Sequence, residues 1–237
     1  MPGLNEGAAL RLAEPIVPQI INRLRQAIIE LKLEPGQPLS EKEIALLYGV
    51  SRQPVREAFI KLAEAGLVQV LPSRGTYVTK ISVKSVLNAR FVREAIECAV
   101  VREAALRIDA AGLDQLAALI DAQERAAETF NNVAFTELDE AFHRAIADCL
   151  DCDYATRVVE AARTQTDRVR HLSLPEASPF PVLIQQHRAI VAALCQREPQ
   201  AAEEAMRRHV REILSAIPRL AAEHPAYFED QASLADL

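Results

Sequence analysis

The chain has little glycine, few aromatic residues and no tryptophan. Seven glycines and an aromatic share of 5% in 237 residues argue against a β-sandwich and against a glycine-rich nucleotide-binding fold. No apolar run approaches the ~20 residues that a membrane span requires. Four cysteines in a chain of this length do not make a disulfide framework, so we expect reduced thiols and a cytoplasmic protein. The first residues have neither the basic nor the apolar region of a secretory signal.

The net charge of −6 conceals two parts of opposite sign. Residues 1–80 hold 10 Lys and Arg against 8 Asp and Glu, whereas residues 81–237 hold 17 against 25. Half of all residues are hydrophobic, so there is ample material for a packed core. A mildly basic N-terminal part before an acidic remainder is typical of two modules with different partners. The overall acidity therefore does not exclude nucleic acid as a partner.

Residues 15–80 predict a winged helix-turn-helix domain. Apolar residues at helical spacing indicate a first helix over 15–33, which Pro35-Gly36 stops. Ser40 begins a short second helix with a capping-box sequence, and Ser51 caps a third helix. Two β-rich runs around a glycine-containing turn then predict a hairpin. This order of elements is that of a helix-turn-helix followed by a wing.

The start of the third helix carries side chains suited to reading DNA. Arg52 and Arg56 lie four residues apart and share one face of the helix. An Arg fork bonds the guanine O6 and N7 atoms, Gln pairs with an adenine edge, and the first turns of a recognition helix meet the bases. In the hairpin, an Arg-Gly tip suits the minor groove. The predicted DNA-contacting residues are Lys42, Ser51, Arg52, Gln53, Arg56, Arg74 and Gly75.

This N-terminal part resembles the GntR family of bacterial transcription regulators. The resemblance covers residues 15–80 and is carried by Leu33-Glu34-Pro35-Gly36, Leu39-Ser40-Glu41, Val50-Ser51-Arg52-Gln53-Pro54-Val55-Arg56-Glu57-Ala58, Gly66-Leu67-Val68 and Arg74-Gly75-Thr76-Tyr77-Val78. In that family the positions that match Ser51, Arg52, Arg56 and the wing Arg74-Gly75 contact operator DNA. The resemblance therefore implies a DNA-binding regulator.

From about residue 82 onward, the signals for strands disappear. Residues 81–224 predict an all-helical effector-binding and dimerisation domain with helices over 83–109, 112–129, 132–149, 153–172, 180–196 and 199–224. Breaks are expected at Gly112 and between Pro175 and Pro181, and Pro218 should kink or end the last helix. The flanking segments are predicted as a flexible N-terminus, 1–14, and a loosely held C-terminal tail, 225–237. The predicted fold class is mainly α, with a winged helix-turn-helix before a bundle of six or seven helices.

Four residues of the helical part have the spacing of a metal site. Asp139 and His143 are four residues apart and project from one face of one helix. His187 and His209 lie equally far from the break at residue 198, so an antiparallel hairpin places their imidazoles at the same height. One carboxylate and three imidazoles converging in a bundle suit Zn²⁺, Ni²⁺ or Mn²⁺. We therefore predict one divalent transition metal per chain.

The helical part after a GntR-like reader resembles the FadR subfamily, with its FCD-type ligand-binding domain. In the metal-binding branch of that subfamily, an Asp and a His four residues apart are joined by one His on each of two later helices. Asp139, His143, His187 and His209 match this pattern. The branch that senses fatty acyl ligands lacks the set, which implies a different effector here. An Arg at the place of Arg93 implies a counter-cation for a small carboxylate effector, although Arg93 and Glu97 also have the spacing of an ordinary intrahelical ion pair.

These observations predict a ligand-responsive transcription regulator and not an enzyme. We expect a homodimeric repressor that binds a palindromic operator in double-stranded DNA and is released by a small organic acid at the metal, with no membrane partner. One alternative is a metal-dependent hydrolase or lyase attached to a DNA-binding domain. Another is a helical dimer in which the metal is purely structural. The C-x-x-C segment at Cys149 and Cys152 lacks a second pair or a βαβ setting and is interpreted as incidental.

Overall fold

The computed structural model describes residues 10–11, 13–173 and 180–229. The described residues form helices and one small sheet, which is the mainly α fold class predicted from the sequence. They divide into two compact units. The first unit comprises the chain up to Val83 together with the segment that begins at Glu223, and the second runs from Lys84 to Ala222. None of the helices in these segments combines the length and the apolar character that crossing a bilayer requires.

The first unit contains a winged helix-turn-helix. Its elements are α1 (Ile16–Ile29), β1 (Pro38–Leu39), α2 (Glu41–Tyr48), α3 (Arg52–Glu64), β2 (Val68–Leu71) and β3 (Gly75–Val78). The predicted hairpin is formed by β2 and β3, which pair antiparallel. The two-residue strand β1 was not predicted, because two residues are too few to show an alternating pattern. It pairs antiparallel with the other edge of β3 and gives the sheet order β1-β3-β2.

Side-chain and backbone chemistry at the helix ends sets the turn of this motif. The Oγ atom of Ser40 accepts a hydrogen bond from the Glu43 N–H at 3.3 Å, as the capping sequence predicted. Gly49 follows α2 with a φ of +64°, a conformation that favours glycine. Ser51 occupies the N-cap position of α3, but its side chain makes no capping bond. The predicted position of the cap is therefore correct, whereas the predicted hydroxyl bond is wrong.

The chain before α1 packs on the first unit. Leu10 is buried in the core that α1 and α3 share. The Arg11 N–H donates to Oε1 of Gln19 on α1 at 2.8 Å, and Gln19 Nε2 donates back to the Arg11 carbonyl at 2.9 Å. These contacts fix the end of the segment that was expected to be flexible, while residues 1–9 and 12 lie outside the described residues.

The C-terminal segment also packs on the first unit. Ile81 forms a parallel β-bridge with Phe228. The Ile81 N–H donates to the Tyr227 carbonyl at 2.8 Å, and the Glu229 N–H donates to the Ile81 carbonyl at 2.9 Å. Because the Phe228 side chain is buried, the expectation of a loosely held tail is wrong for residues 227–229. Residues 230–237 lie outside the described part.

The second unit is entirely helical. Its helices are α4 (Val83–Arg107), α5 (Ala110–Glu128), α6 (Asn132–Asp148), α7 (Asp153–Ser173), α8 (Phe180–Cys195), α9 (Pro199–Arg211) and α10 (Ile213–Glu223). The α5 helix packs against α6 and α8, and α8 packs against α9. A single apolar cluster built from α4, α5, α6, α8 and α9 forms the core of this bundle.

Two helix boundaries differ from those predicted. The break before α5 lies at Asp109, whose Oδ1 accepts a hydrogen bond from the Gly112 N–H at 2.8 Å, so Gly112 belongs to the first turn. The helix predicted over 199–224 is divided at Glu212 into α9 and α10, and Pro218 lies inside α10. The break predicted between Pro175 and Pro181 falls largely on residues 174–179, which the structure does not describe.

A buried carboxylate joins α4 to α9. Glu94 on α4 accepts from Arg207 Nη1 at 2.9 Å and from Arg211 Nη2 at 2.6 Å, and it also contacts Arg90 one turn earlier. The hydrogen bond from Arg211 is the largest cause of a Glu94 pKa lowered to about 2, which Arg207 and Arg90 lower further against the effect of burial. The carboxylate is therefore ionised and stabilises the α4–α9 contact.

Candidate functional site

The four predicted metal ligands meet inside the helical unit. Asp139 and His143 lie on α6, His187 lies on α8 and His209 lies on α9; all four are buried. One ligand atom from each lies within 4.8 Å of the other three. The Nε2 atom of His209 is 3.1 Å from that of His143 and 3.3 Å from that of His187. Oδ1 of Asp139 lies 3.4 Å from Nε2 of His187.

Two helices joined by three residues bring His187 and His209 together. The α8 helix ends at Cys195 and α9 begins at Pro199, so the two helices form the hairpin that the symmetric spacing predicted. The 3.3 Å distance between the two Nε2 atoms confirms that the imidazoles stand at the same height.

The tautomer of His187 is fixed by Gln123 on α5. Nε2 of Gln123 donates to the Leu138 carbonyl at 3.2 Å, so its Oε1 atom must be the one that faces the imidazole, 2.8 Å from Nδ1 of His187. An amide oxygen only accepts, so Nδ1 carries the proton. The Nε2 atom of His187 therefore presents a lone pair to the site.

The other two imidazoles are oriented in the same way. Gln186 donates through Nε2 to the Glu212 carboxylate at 2.8 Å and presents Oε1 to Nδ1 of His209 at 3.0 Å. Nδ1 of His143 lies 2.5 Å from the Glu97 carboxylate, which also only accepts. Each Nδ1 atom thus faces an acceptor, which is the arrangement that holds a metal-binding histidine by its outer nitrogen.

The donor set fits a divalent transition metal. Two nitrogens at ~2.1 Å from one ion lie about 3.0 Å apart at a right angle and about 3.4 Å apart at a tetrahedral angle. The observed separations of 3.1 and 3.3 Å fall between these values. Oδ1 of Asp139 is buried without a hydrogen-bond partner among the described residues. Converging lone pairs and an orphaned carboxylate oxygen repel one another unless a cation lies between them.

The pKa values of His143, His209 and Asp139 are shifted in the directions that favour metal binding. Burial lowers the pKa of His143 to about 4, although Glu97 opposes the shift. Burial, reinforced by the neighbouring imidazoles, also holds the pKa of His209 well below its usual range. Burial opposes ionisation of Asp139, but the Arg170 guanidinium and the histidines hold its pKa well below the usual value. Neutral imidazoles and an ionised carboxylate are the coordinating forms.

Arg93, the predicted effector-binding cation, is buried beside this centre. Its Nε atom donates to Oε1 of Glu97 at 2.7 Å, so the intrahelical pair expected from the spacing does form. Its Nη2 atom has no hydrogen-bond partner in the described segments. Burial opposes ionisation of Glu97, but Arg93 and His143 keep its pKa well below the usual range. Among the described residues, one guanidinium nitrogen of Arg93 thus remains available for a further hydrogen bond.

A second group of buried charges lies on α7, where no candidate site was predicted. Arg170 contacts Oδ2 of Asp139, and Nη1 of Arg163 lies 3.5 Å from the same oxygen. Asp167 lies between the two arginines in sequence and is also buried. Burial raises the pKa of Asp167 to about 6, although Arg163 and Arg170 oppose the shift. Five helices therefore contribute charged or coordinating side chains to one centre.

The predicted DNA-contacting residues are accessible on the first unit. All seven are exposed, namely Lys42, Ser51, Arg52, Gln53, Arg56, Arg74 and Gly75. Gly75 has a φ of +104° at the hairpin tip, a conformation that favours glycine. The Tyr77 hydroxyl donates to the Arg74 carbonyl at 2.9 Å, which braces the turn that presents Arg74.

Glu41 pairs with both arginines of the third helix. Its carboxylate accepts from Nη2 of Arg52 at 3.2 Å and from Nε and Nη2 of Arg56 at 3.1 and 3.2 Å. The hydrogen bond from Arg56 is the largest cause of its lowered pKa, and burial opposes it. This carboxylate lies at the start of α2, where the sequence indicated only a capping box. It aligns the two guanidinium groups side by side.

The cysteines take no part in the candidate metal centre. All four are free, and the group of potential ligands contains none of them. Cys149 is partly buried and Cys152 is exposed. Burial raises the pKa of the Cys98 thiol to about 11, so this thiol is neutral.

Comparison with known proteins identifies the family. Residues 17–78 match bacterial regulatory proteins of the gntR family, and residues 89–212 match the FCD domain. The chain belongs to the GntR family of regulators. The HTH-type transcriptional repressor RspR of Escherichia coli (strain K12) is 42% identical over 222 residues, which cover 94% of this chain and 97% of the relative. An uncharacterized HTH-type transcriptional regulator from an unstable DNA locus of Streptomyces ambofaciens is 36% identical, with 89% of each chain covered.

Solved structures of the same architecture support the fold of this GntR-family chain. Escherichia coli McbR/YncC superposes with a TM-score of 0.74 at 19% identity, covering 89% of this chain and 99% of the other. A putative GntR regulator from Rhodococcus sp. RHA1 gives a TM-score of 0.71 at 24% identity over 87% and 97% of the two chains. Because the family and its named relatives are transcriptional regulators and not enzymes, the alternative of a metal-dependent hydrolase or lyase loses its support.

Proposed function

We propose that this regulator is a metal-dependent, ligand-responsive repressor of the FadR subfamily. Its N-terminal unit binds one half of a palindromic operator, and its helical unit holds one Zn²⁺, Ni²⁺ or Mn²⁺ through Asp139, His143, His187 and His209. A small carboxylate effector binds at the metal and lowers operator affinity. The repressor RspR of Escherichia coli, 42% identical over almost its whole length, supports repression rather than activation.

The exposed surface around α3 supports the assignment of the DNA reader. Arg52 and Arg56 lie side by side on Glu41, so their forks are aligned before DNA arrives. We assign base contacts to Arg52, Gln53 and Arg56, phosphate contacts to Lys42 and Ser51, and minor-groove insertion to the wing tip Arg74-Gly75.

The convergence of three imidazole lone pairs and one orphaned carboxylate oxygen carries the metal proposal. The outer nitrogens of His187 and His209 are hydrogen-bonded to amide oxygens, and that of His143 lies 2.5 Å from the Glu97 carboxylate, so the side chains are oriented before the ion binds. A bound divalent metal supplies open coordination positions for a carboxylate. The unused Nη2 atom of Arg93 supports its role as the counter-cation for that carboxylate.

An exposed apolar stripe on α4 supports a homodimer. Phe91 and Leu106 are 66% and 58% exposed, and Ala95 and Ala99 lie between them on the solvent side of the helix. Intervals of four, four and seven residues place these side chains in one row, which is the spacing of a helix–helix seam. A second copy of this chain covers the row, and the resulting two-fold symmetry matches a palindromic operator.

Metal uptake by the full chain tests the proposal. The metal-free protein is titrated with Zn²⁺, Ni²⁺ and Mn²⁺, and we expect one ion per chain for at least one of them. His187→Ala should lose the ion because an open buried site with three donors binds far more weakly. His224→Ala, which removes an imidazole from the first unit, is the matched control and should bind as the wild type does.

Measuring operator binding distinguishes a metal that takes part in effector sensing from a metal that only stabilises the fold. His187→Ala should keep operator binding in an anisotropy assay and lose any release by carboxylates, because the reader is a separate unit. Absence of metal uptake by the wild type contradicts the metal centre. Loss of folding on metal removal, with no response to carboxylates in the loaded protein, instead favours a structural metal.

A further inference from the structure

We propose that Glu212 couples the occupancy of the metal centre to the C-terminal segment of the DNA-binding unit. This inference rests on the proposed function and names the regulation of the same site. Two observations carry it. A hydrogen-bond route from His209 ends at the junction of α9 and α10, and after α10 the chain returns to the first unit.

A continuous hydrogen-bond route leads from the donor set to this junction. Nδ1 of His209 faces Oε1 of Gln186 at 3.0 Å, and Nε2 of Gln186 donates to Oε2 of Glu212 at 2.8 Å. The Ser215 hydroxyl also bonds to Glu212, with its oxygen 2.7 Å from the backbone carbonyl and 3.2 Å from Oε1. His209 belongs to α9 and Ser215 to the first turn of α10. The route therefore crosses from one helix to the next.

The junction itself is a local change of helical pitch. The Glu212 N–H donates to the His209 carbonyl at 3.2 Å, and the Ser215 N–H donates to the Glu212 carbonyl at 3.1 Å. Both bonds reach the third residue back instead of the fourth, although the backbone of Glu212 stays helical. A short stretch of this kind inside a helical segment often marks a hinge. A change in side-chain bonding at Glu212 can therefore redirect α10 without unfolding either helix.

Apolar side chains hold α10 along its length. Its buried residues are Ile213, Ala216, Ile217, Leu220 and Ala221. Their spacing of three and four positions places them in one stripe, so the helix behaves as a single packed element. Beyond Ala222 the chain enters the first unit. A displacement at the start of α10 therefore reaches the segment that follows the helix.

The segment after α10 is bonded to the chain that leaves the wing. Strand β3 ends at Val78. Three residues later, Ile81 donates its N–H to the Tyr227 carbonyl at 2.8 Å and accepts from the Glu229 N–H at 2.9 Å. Burial raises the pKa of the Tyr227 hydroxyl, and the Glu34 carboxylate raises it further, so this side chain also contacts the connection between α1 and β1. The segment after α10 is thus part of the scaffold that presents the wing.

Hydrogen exchange at the bridge tests the coupling, with the metal alone as the probe. The full chain is compared without metal and with a saturating concentration of the ion that it takes up, and exchange of the Ile81 and Glu229 amides is followed by NMR. Ion binding replaces repulsion between the imidazole lone pairs by fixed bonds. We therefore expect exchange at both amides to slow by about 5-fold or more.

Variants of Glu212 show whether this residue carries the effect. Glu212→Ala removes the acceptor of the Gln186 amide and should reduce the metal-dependent protection of the bridge to less than about 2-fold, while α6 and α8 remain protected near the ligands. Glu212→Gln keeps an oxygen that accepts the same bond and should respond as the wild type does. Glu198→Ala, which removes an exposed carboxylate from the other end of α9, is the matched control and should also respond normally.

Because coupling between two sites is reciprocal, the bridge should also influence metal affinity. Phe228→Ala removes a buried side chain of the bridge and should weaken metal binding by about 5-fold in competition with a chelating dye. In the Glu212→Ala background, the same substitution should cause no further loss. Leu24→Ala changes the core of the first unit outside the bridge and should leave metal affinity unchanged.

The possible results distinguish this inference from the proposed function. Equal metal-dependent protection of the bridge in wild type and Glu212→Ala overturns the inference and assigns the coupling to the other connection, from Ile81 into α4. Exchange at Ile81 that is independent of metal in the wild type overturns it while leaving the metal centre intact. If Glu212→Ala does not fold, an unchanged metal affinity in Phe228→Ala overturns it instead. Failure of the wild type to take up any metal contradicts the proposed function itself.

Discussion

Removing the acceptor that holds His187 is expected to weaken metal binding without touching a ligand. Oε1 of Gln123 lies 2.8 Å from Nδ1 of His187, and Gln123 is fully buried. Gln123→Met keeps a side chain of similar length and volume but removes the oxygen. The imidazole then loses its orientation and the basicity that the hydrogen bond gives to Nε2.

The size of the effect follows from two costs. Outer partners of metal-binding histidines change metal affinity by about 10- to 100-fold. The buried Nδ1–H left without an acceptor costs ~1–3 kcal/mol, and the Leu138 carbonyl loses the 3.2 Å hydrogen bond from Gln123 Nε2. We therefore expect the metal-free variant to be less stable than the wild type and also to bind metal less tightly.

Competition with a chelating dye of known affinity measures the metal affinity. Thermal unfolding of the metal-free protein measures its stability. Glu124→Gln changes a neighbouring residue whose carboxylate pairs with Arg188 outside the donor set, and it should leave metal affinity unchanged. An unchanged metal affinity in Gln123→Met would refute the argument that Gln123 sets the tautomer of His187.

Three further expectations concern other parts of the molecule. Glu94→Gln should lower the free energy of unfolding at pH 7 by roughly 1–3 kcal/mol, less than the full pKa difference implies because Arg207 and Arg211 remain partly in solvent. In chemical denaturation this deficit should disappear as the pH falls from 4.5 toward about 2. The reason is that Glu94 of the wild type becomes protonated over that interval and its stabilising contribution is lost. A deficit that persists at low pH contradicts the role of the ion cluster. Glu41→Gln should raise affinity for a scrambled duplex by roughly 2- to 10-fold in anisotropy, because Arg52 and Arg56 are released to bind any phosphate. Arg56→Ala should cost ~1–3 kcal/mol of affinity for an in-vitro-selected operator. Equal affinities in wild type and variants would show that these residues do not belong to the interface. Phe91→Glu combined with Leu106→Glu should give a monomer in analytical ultracentrifugation. The control Leu46→Glu, at an exposed apolar residue of the other unit, should remain a dimer. A double variant that remains dimeric places the interface elsewhere.

The convergence of the four candidate metal ligands could be predicted because the spacing of the residues and helix geometry determine it. Asp139 and His143 are one helical turn apart, and His187 and His209 are symmetric about a short connection, so helix geometry alone brings each pair together. The supporting amides could not be predicted in this way. Gln186 is the sequence neighbour of His187 but serves His209, and Gln123 reaches His187 from a different helix. Such contacts depend on how helices pack, which residue spacing does not reveal.

The polar groups of α7 show a second limit of sequence reasoning. Arg163, Asp167 and Arg170 belong to a helix rich in charged residues, and such a pattern is typical of a face in solvent. The same pattern occurs when a polar face surrounds a buried charged centre. The division of the last predicted helix at Glu212 was missed because helix formers continue on both sides of it and Glu212 itself keeps a helical backbone conformation.

The bridge between Ile81 and Phe228 has a consequence for how the protein is made. The first unit takes its residues from segments before and after the helical unit, so the helical unit is inserted within it in sequence. On the ribosome, the segment that pairs with Ile81 is synthesised after the helical unit. Although N-terminal domains usually fold first, this one completes its packing only after the whole helical unit has emerged. A protein truncated before Tyr227 thus lacks part of its DNA-binding unit, although every residue of the winged helix is present.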